Sequence, residues 1–257
     1  MKNNFFNYAV IFLILLFNNN LVNSNELTIK ALKIDILDQG NIIIGTGEAE
    51  AISTNGLKIY ADQFKYFKNE GVLYANDNAK AISNKGINLY ADQLQYNETK
   101  KLLIASDNVR AIDTLKKINL KSNLIHYNEL SQEIMSFGVT NVNIKKKYDV
   151  ITKDLNYNFL KKELSSNFLT KINDNYQNNI ELNQFKYFLE RETVRGEDIK
   201  LFDNEGNEYF LKKGMIKLEN NLLSGKDVEI NFTSKGFEVS EGEPRLSGNS
   251  IFYKNQD

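Results

Sequence analysis

Gly56-Leu57-Lys58-Ile59-Tyr60-Ala61-Asp62-Gln63-Phe64-Lys65-Tyr66 returns in the next block as Gly86-Ile87-Asn88-Leu89-Tyr90-Ala91-Asp92-Gln93-Leu94-Gln95-Tyr96, and blocks 56–85 and 86–115 share 12 identities in 30 positions. Leu73, Ala75, Asp77-Asn78 and Ala81-Ile82 come back as Leu103, Ala105, Asp107-Asn108 and Ala111-Ile112. The closing tyrosine recurs at Tyr66, Tyr96, Tyr127, Tyr157 and Tyr187, and the residue two before it is Phe64, Leu94, Ile125, Leu155 and Phe185. Ile34 and Ile36 hold the same two places ahead of the first unit, and Ile251-Phe252-Tyr253 repeats the ending after the last. Around Met215-Ile216-Lys217-Leu218 the register is faint. A fixed period of this size marks a repeat architecture, in which each unit buries its apolar face only by stacking on its neighbours. Such a molecule presents a long surface or groove and suits the binding or guiding of something elongated.

Within one unit the apolar residues alternate, as in a half-buried strand. Leu57, Ile59 and Ala61 share one phase; Phe64 and Tyr66 share the other. The switch at Asp62-Gln63 implies a bulge or corner, because one extra residue sends all later side chains to the opposite face. The polar stretches Asn69-Glu70-Gly71, Asn97-Glu98-Thr99-Lys100 and Asn128-Glu129-Leu130-Ser131 then read as turns of antiparallel hairpins. The expected fold is all-β: bent hairpins stacked into an elongated, twisted V or flattened tube, with bends near Asp62, Asp92 and Asn123. Small inward residues (Ala61, Ala75, Ala91, Ala105) alternate with large ones (Phe64, Leu73, Leu94, Leu103). No long 3.6-residue apolar period argues for helix.

Residues 1–24 read as a secretory signal peptide. Lys2 supplies the positive start, Tyr8 to Phe17 a short apolar run, and Val22-Asn23-Ser24 the cleavage region. The mature chain, 25–257, shows no Pro/Gly/Ser linker and is read as one domain. Cysteine is absent, so an exported chain of this kind depends on sheet hydrogen bonds and core burial alone. The formal net charge of −1 gives no support for nucleic-acid binding. Lys145-Lys146-Lys147 reads as a solvated loop or strand end, with contact to anionic head groups as the lesser alternative.

The recurring Asp62, Asp92 and Asn123 offer a ladder of polar side chains. Later copies place Lys153, Asn183 and Asn249 there, which a catalytic or cation-binding ladder does not tolerate. Side-chain hydrogen bonding to a bent backbone explains Asp and Asn better. His126, the only histidine, falls on the outward phase between Ile125 and Tyr127. Without a second histidine or a cysteine, neither a zinc site nor a nucleophile triad is expected. No catalytic residue, metal or cofactor is assigned.

The pattern Gly-x-x-x-x-Ala-Asp-x-Leu-x-Tyr at 86–96, then a polar turn, then Leu103-Ile104-Ala105-Ser106-Asp107-Asn108-Val109, resembles the OstA-like domain of lipopolysaccharide transport. That domain forms the periplasmic bridge protein LptA and the N-terminal region of the outer-membrane assembly protein LptD. The similarity runs over roughly residues 27–257. Gly225 to Phe232 and Glu243-Pro244-Arg245-Leu246-Ser247-Gly248-Asn249-Ser250 look like the LptD segment ahead of its membrane barrel. The resemblance implies a periplasmic β-jellyroll, not an enzyme, that carries lipopolysaccharide acyl chains. The interior stripe Ile59, Phe64, Tyr66, Leu73, Leu89, Leu94, Tyr96, Leu103, Ile125 and Tyr127 would touch them. An edge at Leu32, Ile34 and Ile36 would pair with other bridge domains, and a separate outer-membrane β-barrel is a further implied partner. Two departures from LptD stand out: the sequence stops at Asp257, where the barrel would start, and it lacks the cysteines many LptD proteins carry. A rival reading from another class is a non-enzymatic structural repeat, such as a surface stalk, with a closed core and no lipid.

Overall fold

A computed structural model describes residues 27–219, 222–233 and 244–253; the expected signal peptide lies outside the described residues. β1 (Thr28–Lys30) and β2 (Lys33–Leu37) are two halves of one edge strand, and both pair with β3 (Ile42–Ile52). From β3 the chain meanders antiparallel through β4 (Lys58–Phe67), β5 (Val72–Ile82), β6 (Ile87–Asn97), β7 (Leu102–Asp113) and β8 (Ile118–Asn128). The next three passes break at their middles into β9 (Glu133–Phe137) and β10 (Val139–Ile144), β11 (Tyr148–Lys153) and β12 (Asn156–Asn158), and β13 (Glu163–Ser166) and β14 (Thr170–Asp174). β9 and β10 both pair with β8, and β13 and β14 both pair with β15 (Asn179–Phe188). β16 (Thr193–Phe202), β17 (Glu208–Lys217), β18 (Leu222–Asn231) and β19 (Arg245–Tyr253) complete the meander. The fold is the expected all-β, elongated, twisted jellyroll.

Each pass is bent, and the bend has a local chemical cause. In β4, Asp62 and Gln63 are both exposed between buried Ala61 and Phe64, which is the expected change of phase. Facing Asp62, Asp77 and Asn78 adopt left-handed φ of 61° and 51°; Asp107 and Asn108 repeat this at 64° and 53°. Two residues thus oppose one across the ladder, a β-bulge that bends and twists the strand. Asp and Asn tolerate this conformation best among non-glycine residues. Their side chains also tie the corner: the Asn78 amide donates to Asp62 Oδ2 at 2.8 Å and that of Asn108 to Asp92 Oδ2 at 2.7 Å. At the fourth bend the corner residue is Asp154, not Lys153. Asp154 has φ 49°, and its Oδ1 accepts the Gly138 N–H at 2.6 Å. The corner is therefore Asp/Asn-built even where sequence alignment of the repeats suggested lysine.

The bend divides every pass into two arms, which form two facing sheets. One arm runs to the turns near residues 53, 83, 113, 145, 175 and 204, called here the upper turns. The other runs to those near 69, 99, 130, 160 and 190, the lower turns. The apolar alternation of both arms points into the space between the sheets. Nearly all the large side chains there are buried, forming one continuous core. Each fully buried Leu, Ile or Phe contributes about 1.5–3 kcal/mol, and this core stands in for disulfides in a cysteine-free chain.

Candidate functional site

Two side-chain rows run down the interior of the lower arm. The first is a single unbroken ladder: Ile36, Ile43, Tyr66, Leu73, Tyr96, Leu103, Tyr127, Ile134, Tyr157, Leu164, Tyr187, Val194, Ile216 and Leu223, each opposite the next. Tyrosine alternates with an aliphatic residue through most of its length. The faint copy near 217 is thus real: Ile216 takes the tyrosine place. The second row runs Ile34, Gly45, Phe64, Ala75, Leu94, Ala105, Ile125 and Ser136, large facing small. Ile59 and Leu89 belong to the upper arm and face these rows. All ten residues expected to line the interior are at most 3% exposed. The structure therefore brings the whole stripe together, and packs it shut with its own side chains.

Further along, Gly196, Gly214 and Gly225 are mutual ladder partners. A Cβ on Gly225 would lie 2.1 Å from Leu211 Cδ2, and one on Gly196 2.4 Å from Leu182 Cδ1. The glycines leave these leucines room in the interior.

The two sheets share the bend on one side; on the other side the upper turns meet the lower turns along a seam. Lys101 Nζ, in a lower turn, donates to Thr54 Oγ1 of an upper turn at 3.3 Å, 47 residues away. The Tyr157 hydroxyl donates to Asp113 Oδ2 at 2.5 Å, 44 residues away. Lys145 pairs with Glu192, again 47 residues away, and the Tyr148 hydroxyl reaches the Leu218 carbonyl at 3.4 Å. In all four the lower-turn partner comes later in the chain, by 44 to 70 residues, so the seam joins units more than one repeat apart. Every one of these ties involves a side chain. Among the described residues no backbone-to-backbone hydrogen bond crosses the seam.

Tyrosine hydroxyls and carboxylates make this border. Tyr66 donates to Glu98 Oε2 at 2.9 Å and Tyr96 to Glu129 Oε1 at 2.7 Å. Burial, then the Glu129 carboxylate, raises the Tyr96 pKa; burial and then Asp113 do the same for Tyr157. Tyr148 is pushed up to about 12, by burial first and then by Glu192 and Asp174. Buried Glu98 Oε1 and the Tyr187 hydroxyl have no hydrogen-bond partner in the described structure. Sequence reasoning took Glu98 and Glu129 for ordinary turn residues. They hold one column of the lower turns, Lys68, Glu98, Glu129, Phe159, Leu189 and Leu218, each giving its N–H to the carbonyl of the preceding lower turn. The repeat spacing between Tyr66 and Glu98, and between Tyr96 and Glu129, was the available signal. Along that column the border changes from polar to apolar, and the Phe159 ring meets Tyr127 and Tyr157 edge-on at 6.2 and 4.4 Å.

At the N-terminal end the interior row is uncovered. Ile34 and Ile36 sit in the same two rows as Phe64 and Tyr66, yet are 44% and 65% exposed, with no further strand beside them among the described residues. Leu32 lies in the break between β1 and β2, with its N–H on the Gly47 carbonyl at 3.0 Å. His126 stands on the outer face against Phe137, with ring centroids 4.5 Å apart, and partial burial lowers its pKa. Among the described residues no cluster of His, Cys, Asp and Glu is arranged to hold a metal ion.

No family model and no curated protein sequence matches the chain. Among solved structures it is similar to LptH, described as the LptA-homologous periplasmic component of the conserved lipopolysaccharide transport device from Pseudomonas aeruginosa. That similarity has 14% identity and a TM-score of 0.40, and covers 44% of this chain and 83% of that one.

Proposed function

We propose that this protein is a periplasmic carrier for lipopolysaccharide, holding acyl chains between its two sheets while the sugars remain in water. The repeat motif and its resemblance to the OstA-like domain suggest the substrate. The observation that carries the mechanism is the seam, where every tie among the described residues involves a side chain. Hydrogen bonds to charged acceptors, such as Tyr157 to Asp113, are worth roughly 1.5–3 kcal/mol each, and a partly exposed Lys–Glu pair about 1 at most. Backbone ladders hold each sheet through every pass. Parting the seam is therefore the least costly large deformation. Without lipid it would bare the apolar rows to water at about 25 cal/mol per Å². Acyl chains remove that cost, so opening and loading are coupled. No covalent chemistry is needed, and energy comes from elsewhere. At its ends the carrier would join other bridge domains through the Leu32, Ile34 and Ile36 edge, with a separate outer-membrane barrel as a possible terminus.

The closed, fully packed interior favours a second reading, a structural stalk that never admits lipid. A photo-crosslinking residue at 94, 96 or 125, in cells making the transport machinery, separates the two. The carrier captures lipopolysaccharide there and little at 95 or 126, which alternate outward. Equal labelling from both faces, or none from the inner one in folded protein, leaves the stalk as the better account.

A further inference from the structure

The tyrosines of the interior row keep their rings inside and bring their hydroxyls to the seam, where a buried hydroxyl needs a partner. The repeats offer two places for one. The first is the lower-turn column, where Tyr66 donates to Glu98 and Tyr96 to Glu129. From the third copy onward that column is apolar, with Phe159 against the Tyr127 ring, then Leu189 and Leu218. The second is a row of the upper arm at the mouths of the upper turns: Ser53, Ser83, Asp113 and Ile144. On the ladder Asp113 and Ile144 are both opposite Ile118. Ser53 is a side-chain hydrogen-bond partner of Tyr96 and Ser83 of Tyr127, and Asp113 accepts from Tyr157. For Tyr187 both places are apolar, Leu218 in the column and Ile144 in the row.

Tyr187 is nevertheless a tyrosine. It is 1% exposed, and among the described residues its hydroxyl has no hydrogen-bond partner. A buried donor left so costs about 1–3 kcal/mol. The fold does not ask for this hydroxyl, because Ile216 fills the next copy of the position at 3% exposure. The two polar groups that act on it through space are engaged elsewhere: Glu192 with Lys145, and the Tyr148 hydroxyl with the Leu218 carbonyl. A trapped water needs roughly two to four polar partners, more than these surroundings supply. The hydroxyl therefore suits an acceptor that arrives with a ligand, and its depth selects which one. Acyl chains held between the sheets lie beside the tyrosine rings, and their sugars lie outside the seam. The hydroxyl stands between them, at the level of the carbonyl that joins chain to sugar.

We propose, resting on the carrier reading, that Tyr187 is a lipid-binding residue whose hydroxyl donates to the ester or amide carbonyl linking an acyl chain to its sugar. Two disaccharide amphiphiles with chains of equal length isolate that carbonyl. Sucrose monolaurate carries an ester carbonyl, and dodecyl maltoside has only a glycosidic oxygen in its place. Calorimetric titration below the micelle concentration is expected to show that Tyr187→Phe weakens binding of the ester about fivefold and that of the glycoside hardly at all. The carbonyl stretch of isotopically labelled ester should fall in frequency on binding the wild type and stay in place on Tyr187→Phe. The thermal midpoint of Tyr187→Phe should hold level or rise, because a stranded donor is removed, whereas Tyr157→Phe strands the Asp113 carboxylate and lowers it. Binding of neither amphiphile to the wild type takes down the carrier reading and this inference with it. Binding of both, with equal loss or no loss in Tyr187→Phe, overturns the inference and leaves the carrier standing. So does a Tyr187→Phe midpoint lowered as far as that of Tyr157→Phe, because the hydroxyl then has its partner inside the fold.

Discussion

The tyrosines at the seam make the protein's stability depend on alkaline pH. Tyr96, Tyr127, Tyr148, Tyr157 and Tyr187 all have pKa values raised above 10.0 in the folded state, with burial as the leading cause. Below about pH 10 both folded and unfolded chains keep these protons, and the full stabilisation is present. Above that, the unfolded chain releases protons that the folded chain retains, so stability falls as pH rises toward the folded values. The thermal midpoint is expected to be level from pH 7 to 9 and to drop steeply beyond pH 10. Tyrosinate absorbance at 295 nm from the five should appear together with unfolding; their titration in the still-folded protein near pH 10 would contradict the burial argument. Packing gives a second expectation at this scale. Leu94 lies between Ala75 and Ala105 in its row, so Leu94→Ala leaves space its small neighbours cannot fill. A loss of about 3 kcal/mol in chemical denaturation is expected.

At the scale of elements, the two arms of each pass are fastened in unlike ways. Within an arm, backbone hydrogen bonds link strand to strand; between arms at the seam, every tie among the described residues involves a side chain. A carrier that loads through the seam should therefore be blocked by a bridge across it. Because cysteine is absent, Thr54→Cys with Lys101→Cys adds the only two thiols. A short, reductant-cleavable bis-maleimide between them should abolish uptake of a fluorescent acyl-chain probe, and cleavage should restore it. Uptake that persists in the bridged protein places entry elsewhere, for instance at the open N-terminal end. No uptake by the wild type counts against the carrier reading itself.

For the whole molecule, the ends matter most. Among the described residues β1 and β2 pair with β3 on one side only, and β19 pairs with β18 only. Unpaired edges invite strand addition, and here the uncovered Ile34 and Ile36 would continue the interior rows into a second molecule. Removing the mature chain up to Asp38 should weaken end-to-end association in light scattering while the remaining strands keep their circular dichroism. Undiminished association would show that the contact lies elsewhere.

The sequence by itself determined the period, the antiparallel bent hairpin, the inward stripe and the corner role of Asp62, Asp92 and Asn123. These follow from local alternation and from what Asp and Asn do to a backbone, and both operate within a few residues. It also carried the tyrosine row as far as Tyr187 and lost it near 217, because Ile216 keeps the inward phase without the tyrosine's identity. The seam was decided only by tertiary structure. Lys101 with Thr54, Tyr157 with Asp113 and Lys145 with Glu192 lie more than one repeat apart, at an offset set by the twist of the stacked sheets. Twist accumulates over many strands and leaves no mark in any single unit, so neither the burial of Glu98 nor the closing of the interior could be read from the chain.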